Sequence, residues 1–319
     1  MKLSIVTPGY NEGEKIYQNL EKIKSYLDDS LGDSWEVIFI NDGSSDNTME
    51  ILSDISKLDP KIKVISYKVN RGRGYALRQG IDHAKGKYIL TMESDLNWGM
   101  EIIKKLFDAI RKSQSDLIVA SPYCKGGQLL NVPFKRAFIS RMGNKILSFS
   151  IGRRVSMVSG MTRIYNRECI KSIPLVSDDK EIHLEIISKA ISLGYKISEI
   201  PATLAWPEKV EQKVSKRKSS FNTKKYVLSH LLFSIAQFPL LIFGFMGIIF
   251  LLIGVAIGSY LMIEFFVYQN IISDKIILIL TTLFLSLFGV QTLLFSFLAY
   301  QNNNLKDELL LLHKTIKTK

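Results

Sequence analysis

The chain has 319 residues, 47% of them hydrophobic, and a formal net charge of +12 at pH 7. Its two cysteines, Cys124 and Cys169, are too few for a disulfide framework or a cysteine-rich metal site. The basic excess is concentrated beside long apolar stretches, so we expect it to face an anionic membrane surface and not nucleic acid. We also expect no signal peptide, because MKLSIVTPGYNE has only a brief apolar run.

Strand and helix patterns alternate through the first 121 residues. Short β-branched runs such as LSIVTP and WEVIFIN predict strands, and apolar residues then recur at helical spacing, as from Ile16 to Leu27. This alternation predicts an α/β fold with a mainly parallel sheet and helices on both faces. The predicted strands are 3–8, 35–41, 63–69, 87–92 and 116–121, and the predicted helices are 14–29, 45–58, 73–86 and 100–113.

The pattern loosens after residue 121. Residues 122–133 predict a loop, and residues 134–154, FKRAFISRMGNKILSFSIGRR, predict a basic amphipathic helix without an acidic residue. A further helix (180–194) and a last strand (195–206) follow. Because no Pro/Gly-rich linker interrupts this part, we predict one domain over residues 1–220.

Two later stretches are long enough to cross a bilayer, which takes about 20 apolar residues. No charged residue occurs from Leu231 to Ile263 or from Ile276 to Tyr300. The predicted parts are a juxtamembrane amphipathic helix (221–238), two transmembrane helices (239–301, as 239–266 and 275–300) and a cytosolic tail (302–319). Basic residues that flank membrane helices stay cytoplasmic, and seven lie in 209–225. We therefore expect a multi-pass membrane protein whose main domain and C-terminus are cytoplasmic.

Polar signatures follow the predicted strands, where open parallel sheets bind their ligands. PGYNEGE follows the first strand, NDGSSD the second, NRGRG the third and ESDLN the fourth. NDGSSD alone is typical of a turn, with Asp46 as a helix N-cap; alternatively, Asp42 accepts hydrogen bonds from a base or a ribose. The glycines of NRGRG suit either a plain turn or a close approach of the backbone to a nucleotide.

ESDLN places two carboxylates two residues apart. In a strand, Glu93 and Asp95 would point to the same face. Hard cations such as Mg²⁺ are commonly held by one or two carboxylates together with substrate phosphates. The pair is therefore a candidate clamp for Mg²⁺ or Mn²⁺ on a diphosphate; the alternative is two solvated acids that cap the next helix.

In combination, TPGYNE, NDGSSDNT, NRGRGYALRQG and MESDLN resemble the family 2 glycosyltransferases with a GT-A fold, across residues 1–230. SGMTRIYNRE, IHLEIISKAISLGYKISEIPATL and VSKRK are similar to the polyprenyl-phosphate glycosyltransferases, the group that contains the dolichyl-phosphate mannose synthases. Some bacterial members of that group have two C-terminal membrane helices. The QxxRW motif of processive polysaccharide synthases is absent from this sequence.

The resemblance implies roles for individual residues. It implies nucleotide binding by Pro8, Tyr10, Asn11, Glu12, Asp42, Gly74 and Ser94; metal binding by Glu93, Asp95 and Asn97; catalysis by Asp95, Arg163 and Lys216; and acceptor-phosphate binding by Arg136, Arg141, Ser215 and Lys216. Four positions depart from the family pattern: Glu93 replaces an Asp, Asn97 a Gln, Met157 lies near the place of a usual Asp, and Pro122 replaces an Arg. Glu185 matches a recurrent acid to which we assign no role.

The resemblance also implies a reaction, the inverting, metal-dependent transfer of one sugar from a UDP- or GDP-sugar to a membrane polyprenyl phosphate. Such an acceptor is already mostly dianionic near pH 7, since its second pKa is about 6. It therefore needs placement and charge shielding more than a general base. The alternatives are a membrane glycosyltransferase that acts directly on a lipid or glycan hydroxyl, and a non-catalytic protein that binds a nucleotide-sugar or a lipid. The sequence is compatible with a homo-oligomer.

Overall fold

The chain divides into two compact units, residues 1–221 with 310–319 and residues 222–309. The structure is a computed structural model that describes residues 2–152, 154–206, 239–269 and 275–318. The predicted juxtamembrane helix (221–238) and the whole basic run 209–225, with the pair Ser215–Lys216, lie outside the described residues.

Strands and helices alternate through the first 121 residues, as the sequence predicts. The elements are β1 (Leu3–Gly9), α1 (Lys15–Leu31), β2 (Trp35–Asp42), α2 (Thr48–Leu58), β3 (Ile62–Tyr67), α3 (Arg73–His83), β4 (Tyr88–Thr91), α4 (Glu101–Lys112) and β5 (Leu117–Ser121). The rest of this unit contains β6 (Gln128–Leu130), α5 (Phe134–Ser150), β7 (Arg163–Asn166), α6 (Arg167–Ser172), α7 (Ile182–Ser192), β8 (Ile197–Pro201) and β9 (Thr203–Ala205).

Two sequence predictions were wrong beyond residue 121. The predicted loop 122–133 contains the strand β6, and the predicted last strand 195–206 is two strands, β8 and β9. β6 and β9 pair in parallel as a separate two-stranded sheet. Each has three residues, which is too short for an alternation of apolar and polar side chains to be recognised.

Seven strands form the main sheet, in the order β3-β2-β1-β4-β7-β5-β8. β7 is antiparallel to β4 and β5, and the other pairs are parallel. The carboxyl ends of β1 to β4 therefore lie at one edge. β7 starts at that edge, since Arg163 pairs with Thr91 at the end of β4.

The core follows from the apolar pattern. All eight residues of β2 are buried, because helices cover both faces of the sheet. The largest apolar side chains there are Trp35 and Phe39, and both are fully buried. Burying one large apolar side chain stabilises the fold by about 1.5–3 kcal/mol. A rigid sheet thus supports the loops at its carboxyl edge.

Two long apolar helices follow, as predicted: α8 (Pro239–Phe266), which lies in the second unit, and α9 (Ile276–Thr318), which lies in it as far as residue 309. Segments Phe243–Phe266 and Ile276–Lys306 are long and apolar enough to span a membrane. The helices pack through glycines: a Cβ on Gly247 would lie 3.0 Å from the carbonyl oxygen of Gly289, and a Cβ on Gly289 would be as close to that of Gly247. Small residues at such contacts let membrane helices approach closely.

Candidate functional site

The loops that follow β1 and β2 are held together by side-chain hydrogen bonds. The Asn11 backbone N–H donates to Ser44 Oγ at 2.9 Å, and the Ser45 N–H donates to Asn11 Oδ1 at 2.8 Å. Thr48 Oγ1 accepts from the Glu12 N–H at 3.0 Å. Asn11 has φ of 53°, a left-handed conformation that Asn tolerates better than most residues. PGYNEG and NDGSSD therefore form one braced surface.

The buried carboxylate of Asp42 shapes the loop after β3. Its Oδ1 accepts from Tyr67 Oη at 2.7 Å and from the Arg71 N–H at 2.9 Å, and its Oδ2 accepts from the Gly72 N–H at 3.2 Å. Burial, with the hydrogen bond to Asp42, raises the pKa of Tyr67, so this tyrosine remains a neutral donor. Asp42 thus has a structural role in NRGRG, while its predicted contact with a base or ribose stays a prediction.

The glycines of NRGRG accommodate this chain's own backbone. A Cβ on Gly74 would lie 2.4 Å from the carbonyl oxygen of Ser177, and one on Gly72 would lie 2.4 Å from that of Asp178. The Gly74 N–H donates to the same Asp178 oxygen at 2.8 Å. The close approach that glycine permits is therefore to residues 177 and 178. Nucleotide contact at Gly74 stays a prediction.

Glu185 fixes the segment that covers those glycines. Its two carboxylate oxygens accept from the N–H groups of Val176 and Ser177, each at 2.9 Å, and Lys189 Nζ lies 2.6 Å from Oε1. Burial by itself would raise the pKa of Glu185, but these hydrogen bonds outweigh it and hold the pKa below its ordinary value. The acid to which the sequence gave no role is thus a structural anchor.

The two carboxylates of ESDLN have different surroundings. β4 ends at Thr91, so Glu93 and Asp95 lie beyond the strand and its alternation does not orient them. Glu93 Oε2 accepts from Thr162 Oγ1 at 2.7 Å and from Trp98 Nε1 at 3.1 Å. Asp95 is exposed. Glu93 therefore commits one oxygen to the protein interior, whereas Asp95 faces solvent.

Neighbouring amides position the Asp95 turn. Asn97 Nδ2 donates to Asp95 Oδ2 at 2.6 Å, and the Asn97 N–H donates to Oδ1 at 3.3 Å. Asn19 Nδ2, from α1, donates to the carbonyl oxygen of the buried Ser94 at 2.7 Å. The turn is thus tied to a helix. Ser94 is 4% exposed, and its predicted nucleotide contact is untested.

Arg163 is completely buried. Its Nη1 donates to the carbonyl oxygen of His183 at 2.7 Å, and its Nη2 donates to that of Val158. Burial lowers the pKa of Arg163, while Tyr165 and the Glu93 carboxylate oppose that shift. The guanidinium therefore lies beneath the sheet edge and supports two backbone segments, and a role against phosphates stays a prediction.

A carboxylate from another element reaches the region where the family pattern has an Asp. Met157 is buried, with 7% of its surface exposed. Glu199 Oε2, from β8, accepts from the Ser156 N–H at 2.7 Å and from Ser156 Oγ at 2.8 Å. Sequence reasoning missed Glu199, because its only signal is an acid among the apolar residues of a short strand.

The basic helix α5 carries two of the predicted ligands of the acceptor phosphate, Arg136 and Arg141. Each of the two guanidinium groups packs against a different aromatic ring. The Arg136 guanidinium lies 4.9 Å from the ring centroid of Trp206, and that of Arg141 lies 5.8 Å from the ring of Tyr123. Both arginines are exposed. The other two predicted acceptor residues, Ser215 and Lys216, fall outside the described residues.

The structure thus brings one group of predicted residues together at the edge formed by β1, β2 and β4. Pro8 lies near the end of β1, and Tyr10, Asn11 and Glu12 follow that strand. Asp42 ends β2, and residues 93–97 follow β4. Sequence reasoning missed the residues that orient this group: Thr162, Trp98, Tyr67 and Ser44. Thr162 directly precedes Arg163, but nothing in its sequence position indicates a bond to Glu93.

The donor set at this edge suits a cation that is shared with a substrate. Among the residues that the structure describes, no group of three or more His, Cys, Asp or Glu side chains is arranged to hold a metal ion. Asp95 and the second oxygen of Glu93 are hard oxygen donors. A pair of this kind is sufficient for Mg²⁺ when substrate phosphates and water complete the coordination. The residues present therefore fit a cation that binds together with a diphosphate.

Comparison with curated proteins gives relatives across most of the first unit. The dolichol-phosphate mannosyltransferase of Pyrococcus furiosus is 32% identical over 231 residues, which is 71% of this chain and 63% of that protein. The dolichyl-phosphate β-glucosyltransferase of Saccharomyces cerevisiae is 32% identical over 225 residues, 65% of this chain and 67% of that protein. The matches thus span about two thirds of the length of these relatives.

A solved structure shows the same fold. Glucosyl-3-phosphoglycerate synthase from Mycobacterium tuberculosis, in complex with Mn²⁺, UDP and phosphoglyceric acid, is 17% identical and has a TM-score of 0.51, covering 73% of this chain and 78% of that one. The predicted GT-A-like α/β fold with a mainly parallel sheet is therefore confirmed. Residues 4–173, more than half of the 319, match the family described as Glycosyl transferase family 2. The chain, whose strand-end loops carry the motifs by which the sequence resembles that family, belongs to glycosyl transferase family 2.

Proposed function

We propose that this protein transfers a single sugar from a nucleotide-sugar to a polyprenyl phosphate in a membrane. The observation that carries the proposal is the convergence of Asn11–Glu12, Asp42 and Asp95 at one sheet edge of a family 2 domain. The same chain contains two helices that can span a bilayer. The donor is a UDP- or GDP-sugar, and the transfer inverts the anomeric centre.

The braced loops after β1 and β2 suit a donor site. Rigid loops hold a ligand in one geometry, so less entropy is lost when the reacting groups meet. Tyr10, 46% exposed, offers an aromatic face beside Asn11, and Asp42 offers its remaining acceptor capacity to a ribose or base. These residues would bind the nucleoside, and Asp95 would lie by its diphosphate.

Asp95 would hold a divalent cation, Mg²⁺ or Mn²⁺, against the donor diphosphate, with Glu93 and Asn97 supporting it. Such a cation neutralises charge on the departing diphosphate. Asn97 donates two hydrogen bonds to the Asp95 carboxylate and so fixes its direction. Glu93 Oε2 anchors the turn by its hydrogen bonds with Thr162 and Trp98, so only Oε1 of Glu93 would coordinate the cation.

A lipid phosphate is the acceptor that fits the charge of the chain. No acidic residue occurs from 122 to 154, whereas Lys125, Lys135, Arg136, Arg141 and Lys145 do. An anionic head group needs charge shielding and no strong base, so the replacement of the family's usual Asp near Met157 is compatible with this acceptor. The two relatives above are named for transfer to dolichol phosphate.

We also propose the domain organisation and sidedness expected from the sequence: a domain over 1–220, two spans, and a cytoplasmic C-terminus. Basic residues flank the two predicted spans in the sequence, and such residues stay on the cytoplasmic side of a membrane. Protease digestion of intact cells should leave a tag on the C-terminus untouched. Removal of that tag from outside would contradict this topology.

The reaction is tested with purified full-length protein in detergent. We expect it to consume one UDP- or GDP-sugar and to form a glycosylated lipid only with polyprenyl phosphate and Mg²⁺ or Mn²⁺. Sugar transfer to a hydroxyl-bearing lipid or glycan instead would favour the direct-transfer alternative. Saturable binding of the nucleotide-sugar without turnover against any acceptor would favour a non-catalytic protein.

A further inference from the structure

Helix α9 (Ile276–Thr318) carries a polar amide on the side that faces away from α8. Its contacts with α8 include Gly289, Leu293 and Ser296, which lie against glycines of that helix. Gln291 comes two residues after Gly289, and two residues turn a helix by about 200°, so the side chain of Gln291 points to the opposite side. That side chain is exposed and makes no hydrogen bond to any residue that the structure describes.

In the proposed span this amide lies deep in the bilayer. The charge-free stretch of α9 runs from Ile276 to Tyr300, so its midpoint is residue 288 and Gln291 is about 5 Å from it along the axis. Hydrocarbon offers no hydrogen-bond partner, and an unpaired amide there costs free energy. Amide side chains in membrane helices therefore pair with polar groups of other helices.

A heptad pattern continues from Gln291 to the part of α9 beyond the span. The spacing alternates between four and three residues, and at 3.6 residues per turn the members lie within an arc of about 100°, which we call the α9 seam. The five apolar members are each between 58% and 64% exposed, and the two amides are also exposed. Three heptads of this kind indicate a coiled coil. The seam consists of Gln291, Phe295, Leu298, Asn302, Leu305, Leu309 and Leu312.

The outer part of the α9 seam is not explained by contact with lipid. α9 has 43 residues and is therefore about 64 Å long, twice the hydrocarbon thickness of about 30 Å. Leu305, Leu309 and Leu312 follow the charge-free stretch, and the charged residues Lys306 and Glu308 lie between them. Because α9 continues unbroken to Thr318, these leucines would project from the bilayer along the helix axis. An exposed apolar stripe in water marks an interaction site.

The membrane itself favours a second copy of this chain as the partner. Copies that insert with the same sidedness place their α9 helices parallel and at the same depth. In a parallel pair each seam residue faces the same residue of the other copy. Gln291 then meets Gln291 of the second copy, and an amide can both donate and accept. One symmetric contact thus satisfies the amide in lipid and covers the leucines in water.

We propose that two copies of the protein pair through the α9 seam, in a parallel coiled coil that begins inside the membrane and continues beyond it. Asn302 then occupies an a position, and Leu298, Leu305 and Leu312 occupy d positions. Leucines at d with a polar Asn at a single a position specify the register of such a coil. The pair uses the side of α9 opposite α8, so the helix hairpin is retained. The inference rests on the proposed membrane spans and not on sugar transfer.

The test is disulfide formation between full-length copies in membrane vesicles. Residues at d positions of a parallel pair face their own copies, within reach of a disulfide. Leu298→Cys and Leu305→Cys place a thiol in the seam. Phe297→Cys and Asn304→Cys are the matched controls, because one residue earlier the thiol points about 100° away. Oxidised vesicles are analysed on non-reducing gels, and the wild type, which keeps Cys124 and Cys169, gives the background.

We expect about ten times more covalent dimer at 298 and 305 than at 297 and 304, since only the seam positions come within bonding distance. Equal amounts at all four positions would indicate random collision and would overturn the proposal. An absence of dimer at 298 and 305 would overturn it as well. Thermal unfolding in detergent shows whether each variant is folded.

Gln291→Leu tests the amide separately. Energy transfer between donor- and acceptor-labelled copies, over a series of protein-to-lipid ratios, gives the dissociation constant of the pair. Loss of the interhelical amide contact should raise that constant about three- to thirtyfold, and Gln291→Asn, which keeps an amide, should raise it less. An unchanged dissociation constant in Gln291→Leu would overturn the role assigned to Gln291.

The outcome is independent of the proposed function. Seam-specific dimers in a protein that transfers no sugar would keep the pairing and reject the function. Transfer to polyprenyl phosphate by a protein without seam-specific dimers would keep the function and reject the pairing.

Discussion

The carboxyl edge of β1, β2 and β4 and the helix α5 use their polar residues in opposite ways. At the sheet edge, side chains such as Asn11 and Asp42 bond the backbone of neighbouring loops and leave some acceptors toward solvent. On α5, the polar residues Asn144 and Ser140 face inward and large apolar groups face out. The first arrangement leaves polar acceptors at the surface, and the second leaves large apolar side chains there.

The two regions are also stabilised by different interactions. The edge loops depend on close backbone packing at Gly72 and Gly74, where a side chain cannot be accommodated. α5 depends on hydrogen bonds from one face and has open space around Gly143. Substitutions should therefore have different effects on stability in the two regions.

The largest effect is expected at Asp95. Asp95→Ala removes the exposed carboxylate that would hold the cation, and we expect metal-dependent sugar transfer to fall by about a hundredfold or more, since such clamps contribute several kcal/mol. The melting temperature should hardly change, because Asp95 lies in a solvent-facing turn. Initial rates over a series of Mg²⁺ and Mn²⁺ concentrations measure the loss. An unchanged rate, or full wild-type activity in excess chelator, would reject the metal role.

Two glycine-to-alanine changes compare the regions directly. Gly74→Ala should destabilise the protein by about 1–3 kcal/mol, since the new Cβ lies 2.4 Å from the Ser177 carbonyl oxygen. Gly143→Ala should stabilise it by about 0.5–1 kcal/mol, because nothing lies within 4 Å and alanine favours a helix. Denaturant unfolding in detergent measures both. Equal shifts of the same sign would refute the contrast.

Glu93 links the turn that carries Asp95 to the protein interior. Thr162→Val and Glu93→Gln each disturb the 2.7 Å bond between them, and we expect each to cost about 1–3 kcal/mol. The double variant should cost less than the sum. Glu93→Asp, which restores the residue usual in the family, should also destabilise the protein, because the shorter carboxylate cannot reach both Thr162 and Trp98. Additive costs in the double-mutant cycle would show that the bond contributes nothing.

The smallest effect concerns pH. Hydrogen bonds hold the pKa of Glu185 below its unfolded value, so the stability it contributes is present above about pH 4.3 and is lost as the pH falls through the lower folded-state pKa. Glu185→Gln should therefore flatten the acid side of the stability profile between pH 5 and pH 3. If the variant keeps the wild-type dependence of stability on acid pH, other carboxylates cause it. Glu36 is then the candidate, because its hydrogen bonds with Lys63 and Ser4 also hold its pKa below the ordinary value despite burial.

Much of the fold could be predicted, because its signals are local. The apolar spacing from Ile16 to Leu27 and the uncharged stretches of α8 and α9 are readable one element at a time. β6 and β7 were not predicted and β9 was not separated from β8, because these short strands are stabilised by partners distant in the sequence.

The site was predictable in part for the same reason. The strand order brings Asn11, Asp42 and Asp95 to the same edge of the sheet, and the polar motifs after the predicted strands predicted this grouping. The burial of Arg163, the bond from Thr162 to Glu93 and the anchoring by Glu185 depend on tertiary contacts across many residues. A sequence pattern cannot tell whether such a charge faces a ligand or the interior.

A lipid phosphate as the sugar acceptor is the core of the proposed function, and a comparison of two acceptors decides it. Full-length protein receives its preferred nucleotide-sugar and divalent cation, with either polyprenyl phosphate or the matching dephosphorylated alcohol at equal concentration in the same detergent. We predict glycosylated product with the phosphate and essentially none with the alcohol. Comparable transfer to the alcohol would contradict the lipid-phosphate proposal, since a hydroxyl acceptor requires a general base, for which Glu199 beside Ser156 would then be the candidate.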